Sequence, residues 1–448
     1  MVLNERREFV KNTALLGGGL FIPSAITKPF IRVNDRILRV GLIGAKGMGW
    51  GNAKNAIKVK NVELVAICDV DQNVIKERSA EHYKDNFKKL KTYSDYRDIL
   101  SDNEIDIVII GTPDHWHCKM FCDAIDAGKH VYVEKPIALT IEECNLMIKA
   151  ASKRPDLMVQ VGQWQRSGPH YRKAIDIVQS EVLGQIRLVK TWAYQGWMEP
   201  VDSYPDEKAP EGVDYKMWLG PAPDRPFNKN RFHFNFRWFW DYAGGLMTDW
   251  GVHEIDIALY AMKANAPKSV MASGGKLAYP DDASETPDTL QAIFEYDNFN
   301  MLWEHATGID GGPYGRTEGI AFIGNNGTLV VNRGGYEVYV ESTHKSYSDL
   351  GQPKMESIAK FDKPQDLNYL ALHWENFIEA IDKKDPSILN TPLVSGSVAA
   401  VNAMMGNIAY HTGRKIYWNS DTSNFGDDKE ANALMTNDYH HGWQKPKV

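Results

Sequence analysis

From Ile37 onward the chain alternates short apolar runs with amphipathic stretches. The runs at 38–43, 62–68, 105–110, 130–133 and 157–161 have strand length and are apolar on both faces. Between them, 47–58, 73–86, 115–127 and 141–152 space their apolar residues as helices do. This alternation predicts a parallel sheet covered by helices on both sides. After Gly162 the pattern changes to longer alternating strands, at 185–195, 268–277, 290–296, 300–306, 319–323, 328–331 and 336–340. Turn residues punctuate the later ones, at Asn325-Asn326-Gly327 and Arg333-Gly334-Gly335. Helices are expected near 250–262, 368–383 and 394–412. A proline-rich, loop-like stretch covers 193–236, and a loop of that length inside a compact domain is usually functional.

The segment that closes the first strand and opens the first helix reads Gly41-Leu-Ile-Gly44-Ala-Lys46-Gly47-Met48-Gly49. Glycines there let the backbone turn tightly and approach a pyrophosphate, which then sits on the N–H groups of the helix start. Lys46 stands where the usual motif has its middle glycine. Asp69 ends the second strand, 20 residues past Gly49, where a carboxylate accepts from a ribose 2′-hydroxyl. It would repel a 2′-phosphate, which favours NAD over NADP. The fold class predicted is an α/β Rossmann domain followed by an α+β domain with an open, mostly antiparallel sheet. Its divisions are 36–162 for the NAD-binding domain, 163–416 for the substrate-binding domain and 417–448 for a tail docked on the fold.

The first 35 residues are read as a signal segment. Arg6-Arg7-Glu8-Phe9-Val10-Lys11 is a twin-arginine pair, followed by an uncharged stretch from Asn12 to Thr27. That stretch is too short and glycine-rich for a membrane span but suits a signal h-region. The twin-arginine (Tat) export machinery, which moves folded proteins, becomes an expected partner, and the expected location periplasmic or exported. No clean Ala-x-Ala site follows, so an uncleaved segment would tether the protein to the membrane.

The whole chain has 448 residues, 43% of them hydrophobic, and a net charge of −7. It therefore lacks the basic surplus that binding nucleic acid requires. Four cysteines, Cys68, Cys118, Cys122 and Cys144, have no zinc-ligand spacing and are read as buried, reduced thiols. No metal site is predicted.

Further motifs carry candidate chemistry. Gly111-Thr112-Pro113-Asp114-His115-Trp116-His117 leaves a strand at its carboxyl end, the edge where ligands of parallel sheets bind. Glu134-Lys135-Pro136 ends the next strand, and a lysine beside a nicotinamide can stabilise an alkoxide-like transition state. Gly244 to Asp256 contains Asp249 and His253 at i, i+4. On a helix these share a face, and a histidine can take a hydroxyl proton while a carboxylate orients it.

In this order and spacing the glycine loop, Asp69, T-P-D-x-x-H, E-K-P and G-G-x-x-x-D-x-G-x-H resemble the Gfo/Idh/MocA family, the glucose–fructose oxidoreductase and inositol dehydrogenase group. The resemblance extends over essentially the whole chain after Ile37 and implies Lys135, Asp249 and His253 as catalytic. The cofactor-binding residues expected are Gly44, Lys46, Gly47, Met48, Gly49, Asp69, Thr112, Pro113, His117, Glu134, Lys135 and Gln163. Substrate contacts are expected from Trp164, Arg166, Tyr194, Trp197, His233 and Arg237, beside Asp249 and His253. Trp238 and Asp241 are further candidates near the catalytic helix.

The activity expected is hydride transfer between a sugar, polyol or glycoside hydroxyl and a tightly bound NAD. Export sharpens this, since a periplasm offers no nicotinamide pool and the cofactor must be reset in place. A redox-neutral glycoside-cleaving enzyme working through a 3-keto intermediate is the second reading. A non-catalytic dinucleotide-binding sensor is the third. The resemblance also implies a homo-oligomer, dimer or tetramer.

Overall fold

The first strand, β1 (Leu38–Ile43), lies mid-sheet and is buried at every residue but Arg39, as expected of a parallel sheet covered on both faces. A computed structural model describes residues 36–344, 346–349 and 351–448. The twin-arginine segment lies outside the described residues. After β1 come α1 (Met48–Ala56), β2 (Val62–Cys68), α2 (Gln72–Asn86), β3 (Lys91–Tyr93), α3 (Tyr96–Ser101), β4 (Ile107–Ile110), α4 (Asp114–Asp126), β5 (His130–Val133), α5 (Ile141–Ser152) and β6 (Val159–Val161). Their sheet runs β3-β2-β1-β4-β5-β6, every pair parallel. The order in which strands are added reverses between β1 and β4, and this switch point opens a crevice at the carboxyl ends of the strands.

The second half contributes α6 (Pro169–Gln179), β7 (Ile186–Gln195), α7 (Tyr215–Leu219), α8 (Gly245–Asp249), α9 (Gly251–Met262), β8 (Ser269–Gly275), β9 (Thr289–Glu295), β10 (Asn300–Thr307), β11 (Glu318–Gly324), β12 (Gly327–Asn332) and β13 (Gly335–Val340). A ribbon of β14 (Ser342–Thr343) and β15 (Gln352–Pro353) follows, then β16 (Phe361–Asp362), α10 (Tyr369–Lys383), α11 (Leu393–Thr412), β17 (Ile416–Tyr417) and α12 (Lys429–Ala433). The large sheet is ordered β16-β13-β12-β11-β7-β10-β9-β8-β17, and its one parallel pair is β7 with β10. This is the expected open, mostly antiparallel sheet.

Several elements have no counterpart in the sequence reading, among them short α7, α8 and α12, the two-residue strands β14 to β17, and three in or next to the first domain. The edge strand β3 has only three residues, two of them exposed, so it carries no apolar pattern. The six-residue α3 follows it closely. Helix α6 does carry a signal: Pro169 opens it, and His170, Tyr171, Ala174, Ile175 and Val178 form one buried face. The four cysteines are free and buried, as expected. No helix among the described residues is long and apolar enough to cross a membrane.

One division of the chain is not contiguous. The sequence boundaries assign α10 to the second domain, yet its Trp374, Phe377 and Ile378 pack on Val40, Leu42, Ile107 and Tyr132 of the first sheet. Trp374 is fully buried and stacks on Tyr132 with ring centroids 4.4 Å apart and planes 16° from parallel. The opposite face of the first sheet joins a core that continues through α5, α9 and α11 to the inner face of the second sheet. We expect Trp374→Ala to cost about 3–5 kcal/mol in equilibrium denaturation, as for other buried tryptophans. A loss below about 1 kcal/mol would separate α10 from the core of the first domain.

Candidate active site

Close packing of glycines shapes the crevice. Gly44 sits at φ 83°, and a Cβ there would lie 2.7 Å from the Gly111 backbone. A Cβ on Gly49 would meet the Gly44 carbonyl oxygen at 2.0 Å, and one on Gly111 the Gly49 Cα at 2.6 Å. No other residue fits these contacts, so the turn after β1 and the turn after β4 are forced together at the start of α1. They leave a cavity of about 640 Å³, within the range of a ligand cleft.

Gly44, Lys46, Gly47, Met48, Asp69, Thr112, Pro113, His117, Glu134 and Lys135 all line this cavity. Gly49 lies beneath it as a packing residue. Gln163 does not reach it; its Nε2 donates to the Val252 carbonyl at 3.4 Å. Asp69 accepts from the Ala45 N–H at 2.8 Å and from the Asp71 N–H at 3.0 Å, and burial pushes its carboxyl up to about 6. The His117 ring is pinned between the carbonyl oxygens of Pro136 (2.7 Å) and Thr112 (2.8 Å), so it braces the wall. A helix start, glycines that admit close approach and an acid at the strand end suit a dinucleotide: pyrophosphate at Gly47–Met48, ribose at Asp69.

The loop-like stretch roofs this cavity. Asp214 N–H donates to Val70 O at 2.8 Å, and Gln72 N–H to Gly212 O at 2.9 Å. Met217, Trp218, Phe234 and Phe236 then line the wall facing the glycine loop. The tail supports the same wall from outside, with Trp443 packed edge-on against Trp116 at 4.9 Å.

At the other end of the cavity stands a charge cluster. Lys135 Nζ donates to Asp249 Oδ1 at 2.7 Å and to the Asp249 carbonyl at 2.8 Å. Arg237 Nε donates to the same Oδ1 at 3.2 Å. Burial pushes the Asp249 carboxyl up, but the Lys135 and Arg237 cations outweigh it and hold the group well below the usual carboxylate range. Asp249 and His253 do not share one regular helix: Asp249 ends α8, Trp250 intervenes, and His253 lies in α9. Among the described residues, His253 Nδ1 is buried without a hydrogen-bond partner. Asp249 therefore positions Lys135 rather than the histidine. His253 is set instead by Trp164 and Trp250, at ring separations of 5.9 and 6.4 Å. Burial, then Lys135 and Arg333, hold its pKa well below 6.5, so the ring is neutral.

Several expected substrate contacts lie elsewhere. Arg166 forms a buried two-pronged pair with Asp256, both bonds 2.7 Å, so its charge is spent inside the core. Tyr194 belongs with Trp192 and Ile323 on the outer face of the second sheet, the side away from α9. His233 lies 3.1 Å from Asp71 and lines the Asp69 end of the cavity, a cofactor position. Trp238 is buried in the core of the roof, and Asp241 pairs with Arg225 at 2.8 Å. Trp164 and Arg237 are brought to the charge cluster and His253. Trp197 stays exposed beside Phe234, ring centroids 6.1 Å apart.

Two residues were missed by the sequence reading. Asp114 lies inside the T-P-D motif, lines the cavity, and burial pushes its carboxyl up to about 8 against the pull of Arg237 and Lys135. Arg333 was read only as part of a turn, and nothing local distinguished it. Glu134, buried and pushed up by burial, accepts from Asn52 Nδ2 at 2.6 Å.

Residues 38–163 match the family model described as an oxidoreductase family with an NAD-binding Rossmann fold, and 172–295 match that of its C-terminal alpha/beta domain. Together the matches span more than half of the chain. Among curated relatives, glycosyl hydrolase family 109 protein 1 of Shewanella sp. (strain ANA-3) is 42% identical over 122 residues, 26% of this chain and 26% of that protein. A glycosyl hydrolase family 109 protein of Shewanella putrefaciens is 40% identical over 121 residues, again 26% of each. The aligned segment thus spans about a quarter of the relatives it matches. Of solved structures, myo-inositol 2-dehydrogenase from Lactobacillus plantarum superposes with TM-score 0.60 at 19% identity, covering 85% of this chain and 99% of that one. A levoglucosan dehydrogenase in complex with NADH and levoglucosan gives TM-score 0.62 at 19% identity, with the same coverage. At these identities the likeness is one of fold. The chain belongs to the Gfo/Idh/MocA oxidoreductase family, with an NAD-binding Rossmann domain and the family's C-terminal α/β domain.

Proposed function

We propose that this protein oxidises a hydroxyl group of a sugar, polyol or glycoside with a retained NAD, and that Lys135 and His253 are its catalytic residues. The observation that carries this reading is the Lys135–Asp249 pair at 2.7 Å, at the cavity end beside a neutral His253. NAD, when bound, supplies the hydride acceptor. An ammonium has three donors, and Asp249 engages two of them through its carboxylate and its carbonyl. The third is left for the substrate oxygen, where it stabilises the negative charge that develops as hydride leaves the carbon. His253 takes the hydroxyl proton. Its depressed pKa keeps it in the accepting form at neutral pH.

The roof from Gly212 to Arg237 and the buttress of Trp443 favour a dinucleotide held as a prosthetic group. The protein as purified should therefore release about one dinucleotide per chain on denaturation. Substrate should then raise the absorbance of the reduced nicotinamide. Lys135→Met and His253→Ala should each lower that rate, measured per bound dinucleotide, by roughly 10²–10⁴-fold; undiminished turnover would overturn the assignment. With its base depressed, the rate should hold level as pH falls through 6.5 and decline only below it.

Redox-neutral glycoside cleavage is the second reading, favoured by the names of the curated relatives. A carbonyl formed at C3 acidifies the neighbouring C–H, so elimination, water addition and re-reduction would return the cofactor to its starting state. Net cleavage without lasting change in the nicotinamide absorbance separates it from simple oxidation.

Two further proposals concern the protein in its setting. Leu188, Met271 and Ile293 are exposed on the outer face of the second sheet, an apolar face that suits pairing of two copies. Ile293→Glu should then shift the sedimentation coefficient toward the monomer. The twin-arginine segment supports export, and residues 1–35 fused to a folded reporter should carry it across the inner membrane, whereas Arg6→Lys with Arg7→Lys should not.

A further inference from the structure

The hairpin of β12 and β13 turns at Arg333-Gly334, and the Arg333 side chain has entered so far only as a cation near His253. Its guanidinium carbon lies 4.7 Å from the ring centroid of Trp164 and 4.3 Å from that of Trp250. The group is thus held between two indoles. The same two indoles flank His253. The turn itself is fixed, because the Arg333 N–H donates to Glu318 Oε1 at 3.2 Å and the Gly334 N–H to Asn332 Oδ1 at 3.0 Å. A guanidinium this well placed would normally be spent on an acid, as Arg237 is on Asp249 and Arg166 on Asp256.

Arg333 is not spent. Among the described residues its Nε is buried without an acceptor. The nearby acids do not supply one: Glu254 and Glu318 each keep an unpartnered Oε2. Burial also pushes both carboxyls up, toward the neutral form. Lys135 and Arg237 are already engaged by the Asp249 carboxylate, whereas the Arg333 guanidinium has no ion-pair partner among the described residues. A rigid planar fork with free donors is matched by a carboxylate, which can take two parallel bonds.

We propose that Arg333 is a specificity-determining residue that receives the carboxylate of an acidic sugar, so that this site prefers a uronic acid or uronoside to its neutral counterpart. The proposal rests on the reading of the site as one that oxidises a sugar hydroxyl, and it deepens that reading by naming the substrate class.

The test uses the full chain with its bound dinucleotide and follows reduction of the nicotinamide. Methyl glucuronoside and methyl galacturonoside are compared with the matching methyl glucoside and galactoside, and with the uronamides, which keep the shape but not the charge. Wild type should favour the uronosides by roughly 10–100-fold in kcat/KM, as for a charge-assisted pair. The gain should appear mainly in KM, and the uronamides should behave like the neutral sugars. Arg333→Met, which still fills the space between the indoles, should bring the ratio near parity, and Arg333→Lys should keep part of it. Neutral sugars oxidised as well as uronosides by wild type would overturn this proposal and leave the hydroxyl-oxidation reading standing. So would a folded, dinucleotide-loaded Arg333→Met protein that keeps the preference. Oxidation of neither class would overturn both. If Arg333→Met does not fold, the wild-type ratio of uronoside to uronamide decides alone.

Discussion

One carboxylate oxygen ties together three distant segments. Asp249 Oδ1 accepts from Lys135, on the turn after β5, and from Arg237, at the end of the cavity roof, while Asp249 itself ends α8. A carboxylate this enclosed persists as an anion only if cations stand against it, so the first domain, the roof and α8 must meet for the charge to exist. The ammonium is held in turn, with one donor left free. Placement of the reacting groups and association of the two halves are therefore the same event.

A second line of contacts reaches Lys135 from behind. Trp374 Nε1 donates to Asn52 Oδ1 at 3.3 Å, Asn52 Nδ2 donates to Glu134 Oε1, and the Lys135 N–H donates to Glu134 Oε2 at 3.3 Å. A helix near the end of the chain thus braces the turn that carries the ammonium. Packing of α10 on the first sheet completes the core and sets the rear of the site in one arrangement. A site held on packed elements keeps its geometry better than one hung on loops.

Much of this was legible in the order of residues. The strands β1, β5 and the helix α5 begin and end where their apolar patterns do, because burial on both faces or one face is written in consecutive residues. The glycine loop was legible for a stronger reason: at Gly44 and Gly49 any side chain would strike backbone. The substrate-facing residues were harder. Arg166, Tyr194 and His233 all lie near the right segments in sequence, yet one is spent on Asp256, one faces outward and one turns to Asp71. A polar or aromatic side chain near a site in sequence does not reveal which neighbour will neutralise it.

By itself the sequence determined the order and type of most elements and the dinucleotide cradle. These depend on periodicity, backbone conformation and residue type, which are local properties. Tertiary structure alone decided that Asp249 serves Lys135, across 114 residues, rather than His253 four residues on. It also decided that Arg333, in an ordinary hairpin turn, stands between two indoles beside that histidine. The physical reason is the same in both cases: a charge is assigned by whatever opposite charge or acceptor the fold brings within bonding distance, and sequence spacing does not carry that information.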